Sequence, residues 1–270
     1  MSSVGDRTRE RIGTARARYE GSWIGAIGLQ LKELDFVNQI TLFGAALLWS
    51  GVPLIIVLSS LADEPIDDDL SRHIGLDAHG ARIVQAVFRT APAHAVVPIV
   101  TGVLFSAAGV VAVVGSLQGV YEKVFRLEPR GWRGLPRWIA WTGVVIALLV
   151  LEGALSGLAR RTVGPIVRDL LELVAATLVL WWTMHYLLAG RIPWRALVRP
   201  AVVTGGLWLA LGLFSSVYFS PVLISDSRTY GEIGVVFSLL TWFFLIGAVL
   251  VLGPVCGVVW QARSEVRARR

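Results

Sequence analysis

Charged residues are scarce in this 270-residue chain, at 16%, whereas hydrophobic residues make up 55% and the mean hydropathy is +0.66. Soluble domains carry about 25% charged residues, so the chain has too few of them to cover a water-facing surface. No Asp, Glu, Lys or Arg occurs in residues 90–121, 200–225 or 233–262. Each stretch exceeds the roughly 20 apolar residues that a helix needs to cross a bilayer. The composition predicts a polytopic membrane protein and excludes a disordered chain, a disulfide scaffold and a soluble enzyme.

Cysteine and lysine are almost absent. Cys256 is the one cysteine, so no internal disulfide can form. Only Lys32 and Lys123 are lysines among the 25 basic residues, and the net charge is +6. Arginine pairs better than lysine with planar anions such as phosphate, although a GC-rich genome would produce the same bias. The first 35 residues contain no early apolar core, so the first membrane helix is expected to be an uncleaved signal anchor.

Six membrane-spanning helices in one bundle fit the hydrophobic pattern best, so the predicted fold class is all-α. The predicted spans are residues 36–61, 95–114 (able to continue as a helix to 124), 138–158, 170–188, 202–220 and 233–260. Residues 1–34 are expected to form a cytoplasmic tail with an interfacial amphipathic helix. Residues 35–262 form the predicted transmembrane domain, and residues 263–270 a basic cytoplasmic tail.

The distribution of positive charge predicts the orientation. Eighteen of the 25 basic residues fall on the same side of the six predicted spans as the N-terminus. Because basic residues accumulate on the cytoplasmic side, both termini are predicted to be cytoplasmic. The largest external loop, residues 62–91, is acidic and is expected to contain an amphipathic helix. Small residues at four-residue spacing, such as Gly253 and Gly257, predict close helix packing inside one chain.

Four passages resemble the YihY/BrkB family of bacterial inner-membrane proteins, formerly labelled ribonuclease BN. They are Ser50-Gly51-Val52-Pro53-Leu54; residues 116–122 (SLQGVYE); Tyr186-Leu187-Leu188 with Ile192-Pro193-Trp194-Arg195; and residues 230–234 (YGEIG) with 239–243 (LLTWF) and Leu252-Gly253. The resemblance implies a multi-pass protein of the inner cell membrane. It also implies a link to virulence and envelope integrity, but no agreed activity. An acid that the family often has late in the sixth span is missing, because Pro254 and Val255 follow Gly253.

Ionisable residues in and between predicted spans three and four form the candidate site. They are the acids Glu152, Asp169 and Glu172 and the arginines Arg160, Arg161 and Arg168. The short connection is expected to bring these groups together at the outer end of the two spans. Three interpretations stay open: charges that pair to hold the spans together, an anion site for a phosphate or carboxylate, and a proton relay through the acids.

Prolines within predicted spans are expected to kink their helices: Pro53, Pro98 and Pro254. The carbonyls freed near Pro53 could line a polar cavity, or the kink could serve packing alone. No HExxH, GxSxG, P-loop or clustered histidine–aspartate motif occurs in the sequence. We therefore expect no enzyme, no cofactor and no metal site.

The leading functional hypothesis is a transporter or flippase-like binder of an amphipathic anion, such as a lipid or an envelope precursor. The alternative is a non-transporting envelope-integrity scaffold, and an RNA-processing enzyme has the least support. The expected partners are membrane lipids of anionic character, and no nucleic acid. The basic loop Lys123–Arg137 is assigned to anionic lipid and topology. Protein partners and oligomeric state are not predicted.

Overall fold

The structure is a computed structural model that describes residues 23–61, 96–162 and 165–268. Side chains are described over residues 23–50 and 104–148 and over most of 173–267. The long elements of this part of the chain are all helices: α1 (Trp23–Glu33), α2 (Phe36–Leu61), α3 (Val96–Val124), α4 (Leu135–Thr162), α5 (Pro165–Leu187), α6 (Trp194–Phe214), α7 (Ser220–Tyr230) and α8 (Glu232–Ala268). A 3₁₀ turn, Gly131–Gly134, precedes α4, and a π-helical turn, Ser215–Phe219, joins α6 to α7. The predicted all-helical fold is confirmed for the described residues.

Three described stretches are long and apolar enough to cross a membrane: Leu104–Val124, Trp194–Tyr230 and Ile233–Glu265. Two further apolar helical stretches, Phe36–Ser50 and Leu173–Leu187, are shorter. Large hydrophobic side chains on the outer faces of these helices are exposed, as Leu213 and Val217 are at 61% and 77%. The number of six spans and their orientation remain predictions.

Helix α8 is central to the bundle and contacts α1, α2, α3, α6 and α7. Glycines allow the close approach to α6. A Cβ atom on Gly253 would collide with Thr204, and one on Gly257 would collide with the backbone of Pro200. The predicted role of Gly253 and Gly257 in packing helices of one chain is therefore confirmed.

Helices α3 and α5 end in the same kind of turn. In each, a residue with positive φ follows the helix: Arg126 (φ 53°) after α3 and Ala189 (φ 57°) after α5. Leu127 N–H then donates to Glu122 O at 2.8 Å, and Gly190 N–H donates to His185 O at 3.1 Å. This six-residue pattern satisfies carbonyls that a helix end leaves unpaired. Both turns direct the following loop sharply back across the end of the bundle.

The helix of the predicted fifth span continues beyond residue 220. It runs from Trp194 through the π-helical turn to Tyr230. Pro221 explains the local change, because in a regular α-helix its ring would clash with the carbonyl of Val217. The π turn Ser215–Phe219 shifts the register, and Pro221 then occupies the first turn of α7.

The N-terminal helix matches the predicted interfacial helix only in part, and two tryptophans near helix ends differ in exposure. In α1, Leu31 packs against the core, but the apolar side chains of Trp23 and Ile24 are 49% and 65% exposed. Trp138 is 7% exposed, so it packs inside the bundle instead of facing an interface. Trp260 is 48% exposed, as an interfacial aromatic would be. The predicted amphipathic helix in residues 62–91 lies outside the described residues.

Candidate functional site

The residues of the predicted site lie outside the described side chains. Helix α4 carries Glu152, Arg160 and Arg161, and α5 carries Arg168, Asp169 and Glu172. Only residues 163 and 164 separate α4 from α5, which agrees with the short connection predicted between these groups. The convergence of the six side chains stays a prediction.

The three prolines also lie within helices. Pro53 lies in α2 and Pro98 in α3, and both side chains are outside the described set. Helix α8 continues through Pro254, which is buried. Ser50 lies on the face of α2 that meets α3. Its carbonyl accepts a hydrogen bond from Ser106 Oγ at 3.3 Å, so this polar group is satisfied by helix packing. The kinks themselves remain predictions.

A buried carboxylate lies at the C-terminal end of α3. Glu122 is 2% exposed, and both of its oxygens accept hydrogen bonds. Oε1 accepts from Gln118 Nε2 at 2.9 Å and from Nη2 of Arg191, and Oε2 accepts from the backbone N–H of Arg130 at 3.1 Å. A buried charge is costly unless it is paired and hydrogen-bonded, and Glu122 meets both conditions.

Gln118 connects this carboxylate to α4. Its Oε1 accepts a hydrogen bond from Trp138 Nε1 at 2.6 Å, while its amide nitrogen donates to Glu122. The chain passes close by at Gly134, where a Cβ would lie 2.7 Å from Trp138 Nε1 and 2.8 Å from Gln118 Oε1. We call Gln118, Glu122, Trp138 and Arg191 the carboxylate cluster. Gln118 therefore bridges α3 and α4.

Arg191 holds two loops together. Its Nη2 binds Glu122, its Nη1 donates to the carbonyl of Glu128 at 2.8 Å, and its Nε donates to the carbonyl of Leu188 at 3.1 Å. Glu122 and Glu128 belong to the end of α3 and its following loop, and Leu188 to the turn after α5. Because Arg191 uses all three nitrogens, its position is set by the fold.

The neighbouring turn between α5 and α6 is built from aromatic contacts. His185 Nδ1 lies 3.2 Å from the carbonyl of Ile192, and its ring stacks on Trp194 with centroids 3.9 Å apart. Trp181 Nε1 donates to the carbonyl of Trp194 at 2.9 Å. His185 is therefore a packing residue with a polar partner in the same turn. These contacts make the turn that presents Arg191 well defined.

An open pocket of about 810 Å³ adjoins the carboxylate cluster. We call it the arginine pocket, and its lining residues are Glu128, Pro129, Arg130, Arg133, Pro136, Arg137 and Arg191. No carboxylate among the described residues forms an ion pair with Arg130, Arg133 or Arg137. The pKa of Arg130 is lowered by partial burial and by the positive charges of Arg137 and Arg191, which Glu122 opposes. The pocket therefore carries unneutralised positive charge.

The basic segments of the chain meet at this end of the bundle. The loop after α3 contacts the turn after α5 through Glu122 and Arg191. The start of α6 contacts the C-terminal half of α8, since the Arg199 guanidinium lies 5.7 Å from the centre of the Trp260 ring. Near α1, Glu33 and Arg126 form an exposed ion pair at 4.0 Å. The contacts thus join, within the described residues, parts of the chain that the charge distribution assigned to one side.

A family model described as "Virulence factor BrkB" matches residues 38–270. The chain belongs to the BrkB family. No curated protein and no solved structure matches it significantly. Family membership and the apolar helices together indicate an integral membrane protein.

Two of the passages that resemble the BrkB family meet in the carboxylate cluster. Gln118 and Glu122 belong to the passage at the end of α3, and Arg191 lies between the two parts of the passage around the α5–α6 turn. The structure also shows what occupies the position of the acid that the family often has late in the sixth span. Val255, the residue at that position, is 0% exposed and packs in the core. This chain therefore uses that part of α8 for apolar packing.

The sequence interpretation missed the pairing of Glu122 with Arg191. Glu122 was considered only within a family passage, and Arg191 only as one of the basic residues that set orientation. A usable signal was present, because Glu122 is the first charge after a charge-free stretch of 32 residues, 90–121. No group of three or more metal-binding side chains occurs in the part of the chain that the structure describes.

Proposed function

We propose that this BrkB-family protein is a multi-pass protein of the bacterial inner membrane that binds and moves an amphipathic anion. The ligand is a lipid or an envelope precursor with an anionic head and an apolar body. In this proposal the protein has six membrane spans and cytoplasmic termini, and it is neither an enzyme nor a cofactor-binding protein. Its partners are anionic membrane lipids.

The arginine pocket is the observation that carries this proposal. Three of its arginines, Arg130, Arg133 and Arg137, have no described carboxylate partner, so the pocket attracts anions. Apolar surface is exposed in the same loop, because Trp132, between the lining residues Arg130 and Arg133, is 77% exposed. An amphipathic anion could place its head among the arginines and its apolar part along this surface.

The gathering of basic segments supports the proposed orientation. Loops rich in arginine and lysine stay on the cytoplasmic side of the inner membrane. The described segments that meet near Arg191 and Trp260 are rich in arginine. The arginine pocket would accordingly open toward the cytoplasm, where it would receive or release an anion at the inner leaflet.

The carboxylate cluster favours the scaffold alternative. Glu122 is completely paired, as a buried charge would be if it served only to hold the ends of α3, α4 and α5 together. A scaffold would need no movement of ligand. The two functions differ in one measurable property, which is flux of an anionic lipid across a membrane.

The test is a flux assay with purified protein in liposomes. Fluorescent phosphatidic acid and fluorescent phosphatidylcholine with the same acyl chains would be placed in separate liposome batches. A membrane-impermeant quencher would then report the fraction of label in the outer leaflet over time. The proposal predicts faster exchange of phosphatidic acid with protein than in protein-free liposomes, and a smaller effect on phosphatidylcholine. Equal rates with and without protein would refute transport and favour the scaffold.

A further inference from the structure

We propose that the arginine pocket binds a phosphate monoester, presented at the membrane surface as the head group of a lipid. This inference deepens the proposed function, since it names the ligand class and the residues that hold it. Arg130, Arg133 and Arg137 are the binding residues. Arg191 is a positioning residue, because its donors already bind protein groups.

The charge of the pocket matches a dianion. Four arginines and Glu128 line it, and Glu122 neutralises Arg191, which leaves two net positive charges. A phosphate monoester carries about 1.5 to 2 negative charges near pH 7. A carboxylate or a phosphodiester carries one and would leave part of the pocket uncompensated. The mutual repulsion that acts on Arg130 would be relieved by such a dianion.

The chemistry of the lining also matches phosphate. The guanidinium group presents parallel N–H donors that fit two phosphate oxygens at once. Arg133 lies in the 3₁₀ turn and Arg137 in the first turn of α4, so both lie near the N-terminal end of a 28-residue helix. The dipole of α4 adds to the attraction of the two arginines for an anion.

The site is organised before a ligand binds. Glu122 accepts from the backbone N–H of Arg130, and Arg191 holds the carbonyl of Glu128. Pro129 further restricts the backbone of the same loop, and Pro136 restricts that of the first turn of α4. A pre-ordered loop loses less conformational entropy when it binds a ligand.

The surroundings favour a lipid as the source of the phosphate. A volume of about 810 Å³ exceeds the needs of a free phosphate ion and lies in the range of small-molecule sites. Trp132, which lies in sequence between the lining residues Arg130 and Arg133, is 77% exposed and offers apolar surface that free phosphate could not use. A head group attached to acyl chains would contact both the arginines and this apolar surface.

The experiment measures lipid retention by native mass spectrometry. The complete protein would be purified in mixed micelles that contain phosphatidic acid, phosphatidylglycerol and phosphatidylcholine with the same acyl chains. We expect wild type to retain phosphatidic acid, the monoester, in preference to phosphatidylglycerol, the diester. The variant Arg133→Gln/Arg137→Gln should lose affinity for phosphatidic acid by about tenfold or more, because charge-assisted hydrogen bonds are removed.

A matched control separates a specific site from general positive charge. Arg126→Gln/Arg195→Gln removes two exposed arginines from the same end of the bundle, and neither lines the pocket. This variant should retain phosphatidic acid like wild type. Equal losses in both double variants would overturn the proposal, as would undiminished retention in Arg133→Gln/Arg137→Gln. Thermal unfolding of each variant would establish that it is folded.

Competition distinguishes the two possible sources of phosphate. Glycerol 3-phosphate and inorganic phosphate would be added separately at increasing concentration. Weak displacement of phosphatidic acid supports recognition of a lipid. Tight binding of either soluble compound, with no preference for phosphatidic acid, would overturn the lipid assignment.

The lipid-retention experiment and the flux experiment test the binding site and the transport function independently. Retention of phosphatidic acid without flux in liposomes would refute the proposed transport and leave the site standing. Flux that persists unchanged in Arg133→Gln/Arg137→Gln, together with unchanged lipid retention, would refute the site and leave transport standing.

Discussion

The carboxylate cluster and the arginine pocket are neighbours that share Arg191, yet their charges are arranged in opposite ways. In the cluster, Glu122 is buried and each of its oxygens has a donor. In the pocket, Arg133 and Arg137 are accessible and have no described carboxylate partner. The comparison indicates that paired charge stabilises the fold, whereas surplus charge is available to a ligand. Stability measurements on variants of the two regions can test this division directly.

The largest effect is expected for Arg191→Met. The substitution leaves the Glu122 carboxylate, whose side chain is 3% exposed, without its cationic partner. Breaking a buried pair in this way should lower the free energy of unfolding by about 3 kcal/mol. Thermal unfolding in detergent, followed by intrinsic fluorescence, would measure the change against Arg195→Met, a substitution of an exposed arginine.

A second variant sharpens the same measurement. In Glu122→Gln/Arg191→Met no buried charge remains unpaired, so part of the lost stability should return. If Arg191→Met unfolds at the same temperature as Arg195→Met, the Glu122–Arg191 pair does not stabilise the fold. The proposed difference between the carboxylate cluster and the arginine pocket would then be wrong.

An intermediate effect is expected where the backbones of α8 and α6 approach each other closely. Gly257→Ala would force a methyl group into the backbone of Pro200 and should destabilise the protein by about 2 kcal/mol. Gly206→Ala is the matched control, because a Cβ there has no neighbour within 4 Å and alanine favours a helix. The unfolding temperature of Gly206→Ala should therefore equal or exceed that of wild type. Equal unfolding temperatures for the two variants would contradict the close α6–α8 contact.

The smallest effect on stability is expected for Arg133→Gln/Arg137→Gln. Both side chains belong to the open pocket, so the free energy of unfolding should change by no more than about 0.5 kcal/mol. The free energy of unfolding should increase slightly, because repulsion among the pocket arginines decreases. The same unfolding assay measures it. A loss comparable to that of Arg191→Met would assign these two arginines a structural role instead.

The roles of some individual side chains can be predicted from the sequence because these roles depend on neighbouring residues in the chain. His185 and Gln118 are single polar groups near helix ends, and such groups usually find a hydrogen-bond partner. Gly253 and Gly257 follow a four-residue spacing that marks one face of a helix. Trp138 could not be placed this way, because its indole partner Gln118 is 20 positions away. Periodicity identifies a face of a helix but does not identify what covers it.

The candidate site shows the same limit. The predicted group of Glu152, Glu172 and the arginines between them consists of charges that lie close together in sequence. The pair that the structure reveals, Glu122 and Arg191, is separated by 69 positions. Two loops must return to the same end of the bundle before these groups meet, and no local pattern encodes that meeting.

The amino-acid sequence alone determined that this is a helical membrane protein, because hydropathy and charge-free length are sums over neighbouring residues. It also determined where most helices lie and that basic residues concentrate in a few segments. Only the tertiary structure decided which charges are neutralised. The left-handed turns at Arg126 and Ala189 bring the two loops together, so Arg191 is paired while Arg130, Arg133 and Arg137 remain available. Pairing depends on distance in space, since hydrogen bonding requires contact and electrostatic attraction weakens as the distance between charges grows.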